Sequence, residues 1–326
     1  SLPFYYDNTG GVASHIDRHW STSQDWSAHR IQTLVLYFYA DAANTGQLYV
    51  KINDIKIPYD GDPSNLTKAR WNPWHVDLSS LSVSSVTTLS IGVDGAGASG
   101  MVLLDDIGLY RSAPAMVTPV PPSIEGLVAH WALDDGAGTT AFDSAGTNHG
   151  TVNGLALWTT GQLGGALELD GAGAYVDCGS PATLDITDVI TLAAWVNPLD
   201  AGNGEHNPYI AKGDHAYTLK HGAGNAFEFL LYQGAWNYIQ VPVTSAFNDN
   251  WYHLAGTYDG AQLKLYVNGV LGATMASSGG IDSSTDAVEL GRNSEYPDRL
   301  FGGSIDDARI YNRVLSEAEI LYLSNQ

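Results

Sequence analysis

The segment from Tyr258 to Val270 constrains the fold more than any other, because Asp259-Gly260 and Asn268-Gly269 bracket a short alternating run. Both dipeptides predict two-residue turns whose central positions take positive φ, the geometry that a right-twisted hairpin prefers. Between them Leu263, Leu265 and Val267 alternate with Gln262, Lys264 and Tyr266, which buries one face and leaves the other wet. A strand with one wet face belongs to an antiparallel sandwich, so an all-β fold is expected.

The end of the chain completes such a sheet. Ile305, Ala308 and Ile310 sit among polar residues in a partly alternating run, and Ser316-x-x-Glu319 forms a capping box just before Ile320 and Leu321. A closing strand followed by a short helix is predicted.

Before that, residues 1–111 carry short turn-bounded strand candidates at 33–40, 47–52, 55–59, 87–92 and 102–110. The run Thr33-Leu-Val-Leu-Tyr-Phe-Tyr39 is apolar on both faces, which suits a central strand. Residues 112–123 hold four prolines and predict an extended, semi-rigid linker. The expected organisation is two antiparallel β-sandwich modules, 1–111 and 124–326, joined by that linker.

Charge narrows the partners. Fourteen Lys plus Arg against 35 Asp plus Glu give a net charge of −21, which repels nucleic acid and anionic membranes. Many carboxylates lack a basic partner, and oxygen-seeking calcium is their natural counter-charge; a merely solvated acidic surface is the plainer alternative. Cys178 is the only cysteine, so neither an intrachain disulfide nor a cysteine metal cluster can form. No apolar run is long enough to span a bilayer, and the sequence opens on Ser1 without a signal peptide or initiating Met, reading as a processed piece.

Several stretches occur in an order that resembles laminin G-like modules of the concanavalin A-like lectin/glucanase class. They are Trp131 to Gly136, Asp143-Ser-Ala-Gly146-Thr-Asn148-His149-Gly150, Gly164 to Gly171, Thr191 to Val196, Trp251 to Gly260, Leu265 to Gly269 and the closing stretch. The resemblance covers about Glu125 to Gln326. The run Met101 to Tyr110 resembles the final strand of galactose-binding-like carbohydrate-binding jelly rolls. Such modules begin with one or two further strands, expected before Ser1, whose absence would leave an open sheet edge for another segment or subunit.

The resemblance implies calcium. Asp143, Asn148 and Asp306 would be ligands, with Asp134 as a fourth, so that the ion ties the last strand to the loop 143–150; Asp105, or Asp106 beside it, would do the same in the first module. The alternative is that Asp143 and Asn148 cap turns through side-chain hydrogen bonds and that Asp105 and Asp106 merely face a turn.

Nine tryptophans and 18 tyrosines exceed what a sandwich core needs, and flat aromatic faces suit the apolar side of a pyranose. Candidate sugar contacts are Glu205, His206, Tyr209, Lys212, His215, Trp236, Tyr238, Arg292 and Tyr296 in the second module. Trp20, Trp26, Trp71 and Trp74 are those of the first. Core packing is the competing explanation for each aromatic.

Catalysis finds less support. The laminarinase-like pattern Glu-x-Asp-x-x-Glu is approached at Glu168-Leu-Asp170 but meets Gly173 in the third position. His15-Ile-Asp-Arg-His19 lacks the glutamate of a zincin helix. The expected function is non-catalytic, calcium-stabilised binding of an extracellular glycan by accessory modules of a larger secreted or cell-surface protein. Against it stand a structural or adhesive, self-assembling role and a glycan-active enzyme.

Overall fold

Alternation along Thr33–Ala40 sends Leu34, Leu36 and Phe38 to the interior and Tyr37 and Tyr39 to the other face, and this strand lies inside a sheet. The computed structural model describes residues 2–68, 70–113, 117–199, 206–243 and 250–326. They form two units, residues 1–116 and 117–326, each with its own hydrophobic core.

The first unit contains β1 (Leu2–Asp7), β2 (Ala13–Gln24), β3 (Thr33–Ala40), β4 (Gln47–Ile52), β5 (Ile55–Pro58), β6 (Trp71–Asp77), β7 (Val86–Asp94) and β8 (Ser99–Tyr110). They make two four-stranded sheets, β1-β8-β3-β6 and β2-β7-β4-β5, around a core that includes Phe38, Val50, Trp74 and Val93. Residues 2–24, where alternation marks no strand, supply β1 on β8 and β2 on β7, so two strands precede Thr33 within the chain itself. Edge strand β2 escapes detection because it is mostly polar on both faces, with backbone pairing in place of a buried stripe. Trp71 and Trp74 also lie on an undetected strand, β6.

The second unit begins with β9 (Leu127–Trp131), β10 (Thr140–Ala141), β11 (Gly150–Asn153), β12 (Leu157–Thr160), β13 (Gly165–Asp170), β14 (Tyr175–Asp177) and β15 (Ile190–Pro198). It continues through β16 (Asn207–Ala211), β17 (Tyr217–Gly222), β18 (Ala226–Tyr232), β19 (Trp236–Pro242), β20 (Tyr252–Tyr258), β21 (Gln262–Val267), β22 (Val270–Ala276), β23 (Glu289–Leu290) and β24 (Gly302–Tyr311). One sheet runs β10-β11-β14-β23-β16-β17-β18-β19; the other runs β12-β13-β24-β15-β20-β21-β22, with β9 also on β24. Leu219, Phe227, Phe229 and Leu231 from the first sheet pack with Leu192, Val196, Leu254, Leu265 and Ile310 from the second.

The closing strand and helix form as the sequence predicts. Helix α1 (Glu317–Leu323) starts at Ser316, whose hydroxyl accepts from the Glu319 amide while the Glu319 carboxylate accepts from the Ser316 amide. Its Ile320 and Leu323 cover Ala193, Ala255, Tyr266 and Tyr311 on the outer face of the second sheet. Tyr266, assigned to a wet face by alternation, is therefore buried.

Asn268 and Gly269 take φ of 51° and 79° and close β21 onto β22 as a two-residue turn. At the other hairpin only Gly260 has positive φ; Asp259 instead accepts from the amides of Ala261 and Gln262 at 2.9 and 2.7 Å, a side-chain turn that removes the need for αL at Asp259. Residues 114–116 of the proline-rich run lie outside the described residues. Further on, the Val120 amide donates to Ala318 O at 3.0 Å, and Arg313 donates to the carbonyls of Ser123 and Glu125. Among the described residues no helix is long and apolar enough to cross a membrane.

Candidate functional site

The hairpin of β17 and β18 builds the site. Tyr217, Leu219, Phe227, Phe229 and Leu231 point into the core, so the intervening residues must point outward. Register places Lys220 opposite Glu228, and Glu228 opposite Gln240 on β19. The next outward row pairs Leu230 with Tyr238, and the one after pairs Tyr232 with Trp236. A polar row thus lies beside an aromatic one.

Loops wall this face into an open cleft of ≈ 280 Å³ lined by Asp214, Lys220, Glu228, Trp236, Tyr238, Gln240 and Arg299 among others. The Lys220 ammonium lies 3.3 Å from Asp214 Oδ1 and 3.2 Å from Glu228 Oε1. Gln240 donates to Glu228 Oε2 at 2.7 Å, Asn293 donates to Asp214 Oδ1 at 2.9 Å, and Arg299 pairs with Asp214 Oδ2. Lys220 and Glu228 are buried, as charges can be only when paired and hydrogen-bonded. Glu295 locks the wall, accepting from the amides of Asp214 and His215 and pairing with the His215 ring. The rim stays open, with Trp236 55% and Tyr238 51% exposed.

Of the proposed sugar contacts, the structure brings His206, Trp236 and Tyr238 together at the cleft. His215 stands beside them, with ring centroids 4.5 Å from Tyr232 and 5.5 Å from Trp236. His206 sits at φ 72°, its Nδ1 buried without a hydrogen bond, and burial together with the positive charges of Lys220 and Arg299 draws its pKa down. Tyr296 stands at the same wall, under the Arg299 guanidinium at 4.1 Å. The signal for the residues that sequence reasoning missed was present: Lys220 and Glu228 are rare charges in apolar runs, equidistant from Gly224 of the hairpin turn.

The remaining candidates have other partners. Tyr209 is fully buried against Phe301, and Trp26 and Trp74 lie in the core of the first unit, Trp74 donating to Asp60 at 2.9 Å. None of these three presents a face to a ligand. Arg292 grips Glu289 and lies 3.3 Å over the Tyr175 ring. Lys212 is buried on Asp185, Ser180 Oγ and the Asp286 carbonyl. Trp20 packs edge-on against Trp26, and Trp71 against Tyr39 on the outward face of β3 and β6. Glu205 lies outside the described residues.

The carboxylates proposed as metal ligands fall into separate places. Asp143 Oδ1 accepts from the amides of His130 and Ala145, and its Oδ2 from that of Asn148, all at 2.9 Å. The Asn148 side chain donates to Val128 O and accepts from Thr183 Oγ1. Both therefore act as turn caps. The last strand reaches this loop through hydrogen bonds, not through Asp306: Asp307 Oδ1 lies 2.6 Å from His130 Nε2, and His130 Nδ1 lies 2.8 Å from Ser144 Oγ. Beside this serine–histidine–aspartate relay the amides of Ser144 and Ala145 donate to His130 O and Asp143.

Asp306 sits instead at the turn 161–165, where its Oδ2 accepts from the Leu163 amide at 2.8 Å and its Oδ1, buried, takes no hydrogen bond. Asp134 flanks the same turn, accepting from the Gly165 amide. A Cβ on Gly161 would lie 2.5 Å from Asp306 Oδ2, and one on Gly164 2.5 Å from Asp134 Oδ1, so the glycines let both carboxylates approach. Burial, with smaller contributions from Asp307 and Asp134, pushes the Asp306 carboxyl up to about 7 against the Leu163 hydrogen bond. In the first unit Asp105 faces outward across from Tyr37 and accepts from the Asp106 amide. Both units share a device: the second Asp of each pair, Asp106 and Asp307, takes positive φ near a register shift in the last strand.

Residues 170–321 match the profile of the laminin G type in the concanavalin A-like lectin/glucanases superfamily. No curated protein sequence matches the chain. Domain 4 of AbnA, a GH43 extracellular arabinanase from Geobacillus stearothermophilus solved with arabinotriose, is 21% identical, over 61% of this chain and 98% of that one, with a TM-score of 0.49. The binding domain of Paraclostridial mosquitocidal protein 1 is 15% identical over 62% of this chain and 52% of that one, TM-score 0.53. That of botulinum neurotoxin serotype D/C VPI 5993 is 17% identical over 62% and 53%, TM-score 0.51. The chain thus spans about half the length of the toxin binding domains, with which it shares the fold. Within the second unit, residues 170–321 are thus similar to the laminin G-like modules of the concanavalin A-like lectin/glucanases superfamily.

Proposed function

We propose that the second unit binds an extracellular glycan in the cleft of β17, β18 and β19 without acting on it, as an accessory module of a larger secreted or cell-surface protein. The observation that carries this reading is the polar row Lys220–Glu228–Gln240 set beside the exposed rings of Trp236 and Tyr238. Aromatic faces take the apolar side of a sugar ring, and charge-assisted donors and acceptors held rigid by one another read its hydroxyls. The superfamily's lectin members support the same use.

The arrangement speaks against hydrolysis. A glycosidase pair needs one carboxyl free to give a proton to the leaving oxygen. Here both oxygens of Asp214 and both of Glu228 accept from Lys220, Asn293, Arg299 or Gln240.

Calcium belongs to the same proposal. Asp306 Oδ1 and the neighbouring Asp134, with carbonyls of the turn 161–165, offer the hard oxygen donors it requires, whereas the carboxylate of Asp143 is spent on amides. Bound there, the ion would supply charge compensation to Asp306 and stabilise the unit by mass action. A glycan array probed with and without calcium tests the function; signal on defined glycans that Trp236→Ala abolishes supports it, and an array blank under both conditions counts against it.

A further inference from the structure

Resting on the glycan reading of the cleft, we infer that its ligand is a neutral oligosaccharide and that the site discriminates against uronic, sialylated and sulfated sugars. The cleft is lined by two cations and two anions that already satisfy one another. Lys220 stands between Asp214 and Glu228, and the second oxygen of Asp214 is held by Arg299. Lys220 is 1% exposed and its ammonium has spent two of three donors on carboxylates. Arg299 is stacked on Tyr296 at 4.1 Å and committed to Asp214.

Among the described residues of the cleft an incoming carboxylate would therefore meet no unpaired cation. To gain one it would have to displace Glu228 or Asp214 from a buried pair, leaving that charge uncompensated. The remaining wall adds acidity: Glu295 stands behind Asp214, and the whole chain carries −21. A neutral hydroxyl needs no such exchange. It can accept from the remaining Lys220 or Arg299 donors, or donate to Gln240 Oε1, while its ring lies on Trp236 or Tyr238. Discrimination comes from unpaired and like charges set against the wrong ligand, not from added contacts to the right one.

The test is titration calorimetry of the whole chain with matched oligosaccharides, neutral galactan or xylan fragments against oligogalacturonides of equal length, at low and at high salt. The inference expects saturable binding of at least one neutral series and at least tenfold weaker binding of the uronides, with the gap shrinking as salt screens the repulsion. Glu228→Gln, which leaves Lys220 half neutralised, should narrow that gap further. Uronides that bind as tightly as the neutral series, or a preference for them that high salt erases, would overturn the inference while leaving the glycan reading intact. If neither series binds and a broad array is blank, the glycan reading itself fails and the inference with it.

Discussion

The Lys220 ammonium lies 3.2 Å from Glu228 Oε1, one strand across on the outward face of the sheet, and both side chains are almost fully buried. Removing one partner of such a pair leaves an uncompensated charge. Lys220→Met should cost about 3–5 kcal/mol, and the double variant Lys220→Met/Glu228→Gln should recover part of that loss. Denaturant unfolding of the two single variants and the double variant checks the coupling; additive losses would show that the pair does not act as a unit.

Asp306 and Asp143 are expected to respond differently to calcium. Chelation should lower the melting temperature of the wild type, and Asp306→Asn should abolish that response. Asp143→Asn, which leaves Oδ1 to accept from His130 and Ala145 but sets an amide NH2 against the Asn148 N–H, should destabilise the unit by about 1–3 kcal/mol yet keep the calcium response. A calcium shift lost in Asp143→Asn but kept in Asp306→Asn would move the site to the loop 143–150.

His253 makes the second unit sensitive to acid. Burial draws its imidazole down to about 4, the Asp307 carboxylate working against that and Arg309 with it. The unfolded chain, with an ordinary value near ~6.5, binds more protons between the two values. The contribution of His253 should then be flat above pH ~6.5 and fall as pH drops toward 4, by up to roughly 3 kcal/mol, while Asp306, its carboxyl raised to about 7, contributes in the opposite direction. Unfolding midpoints of wild type and His253→Gln across that range should differ in slope; identical slopes would assign the acid sensitivity elsewhere.

What could be read from sequence follows from how local each feature is. The capping box at Ser316 and the Asn268-Gly269 turn are decided by neighbours in the chain, and both stand in the structure. Tyr209 and Tyr238 are both tyrosines in the same suspected region, but one is fully buried and the other half exposed, a difference set by strand register and packing. Lys220 and Glu228 acquire meaning only once the hairpin places them opposite each other. Asp306 and Asp307 part company because Asp307 takes φ 50°, near a register shift that no alternation rule anticipates, so that Asp307, and not Asp306, meets His130. The polar edge strand β2 was invisible for a related reason: its place is fixed by pairing with β7.

The most direct test of the central claim is to compare glycan binding by wild type and by Trp236→Ala/Tyr238→Ala. Both rings are more than half exposed, so the melting curve should barely move. Binding of the wild type's best glycan should fall at least tenfold, in line with about 1–3 kcal/mol for losing a stacked aromatic face. Unchanged affinity in a folded double variant would contradict the assignment of the cleft.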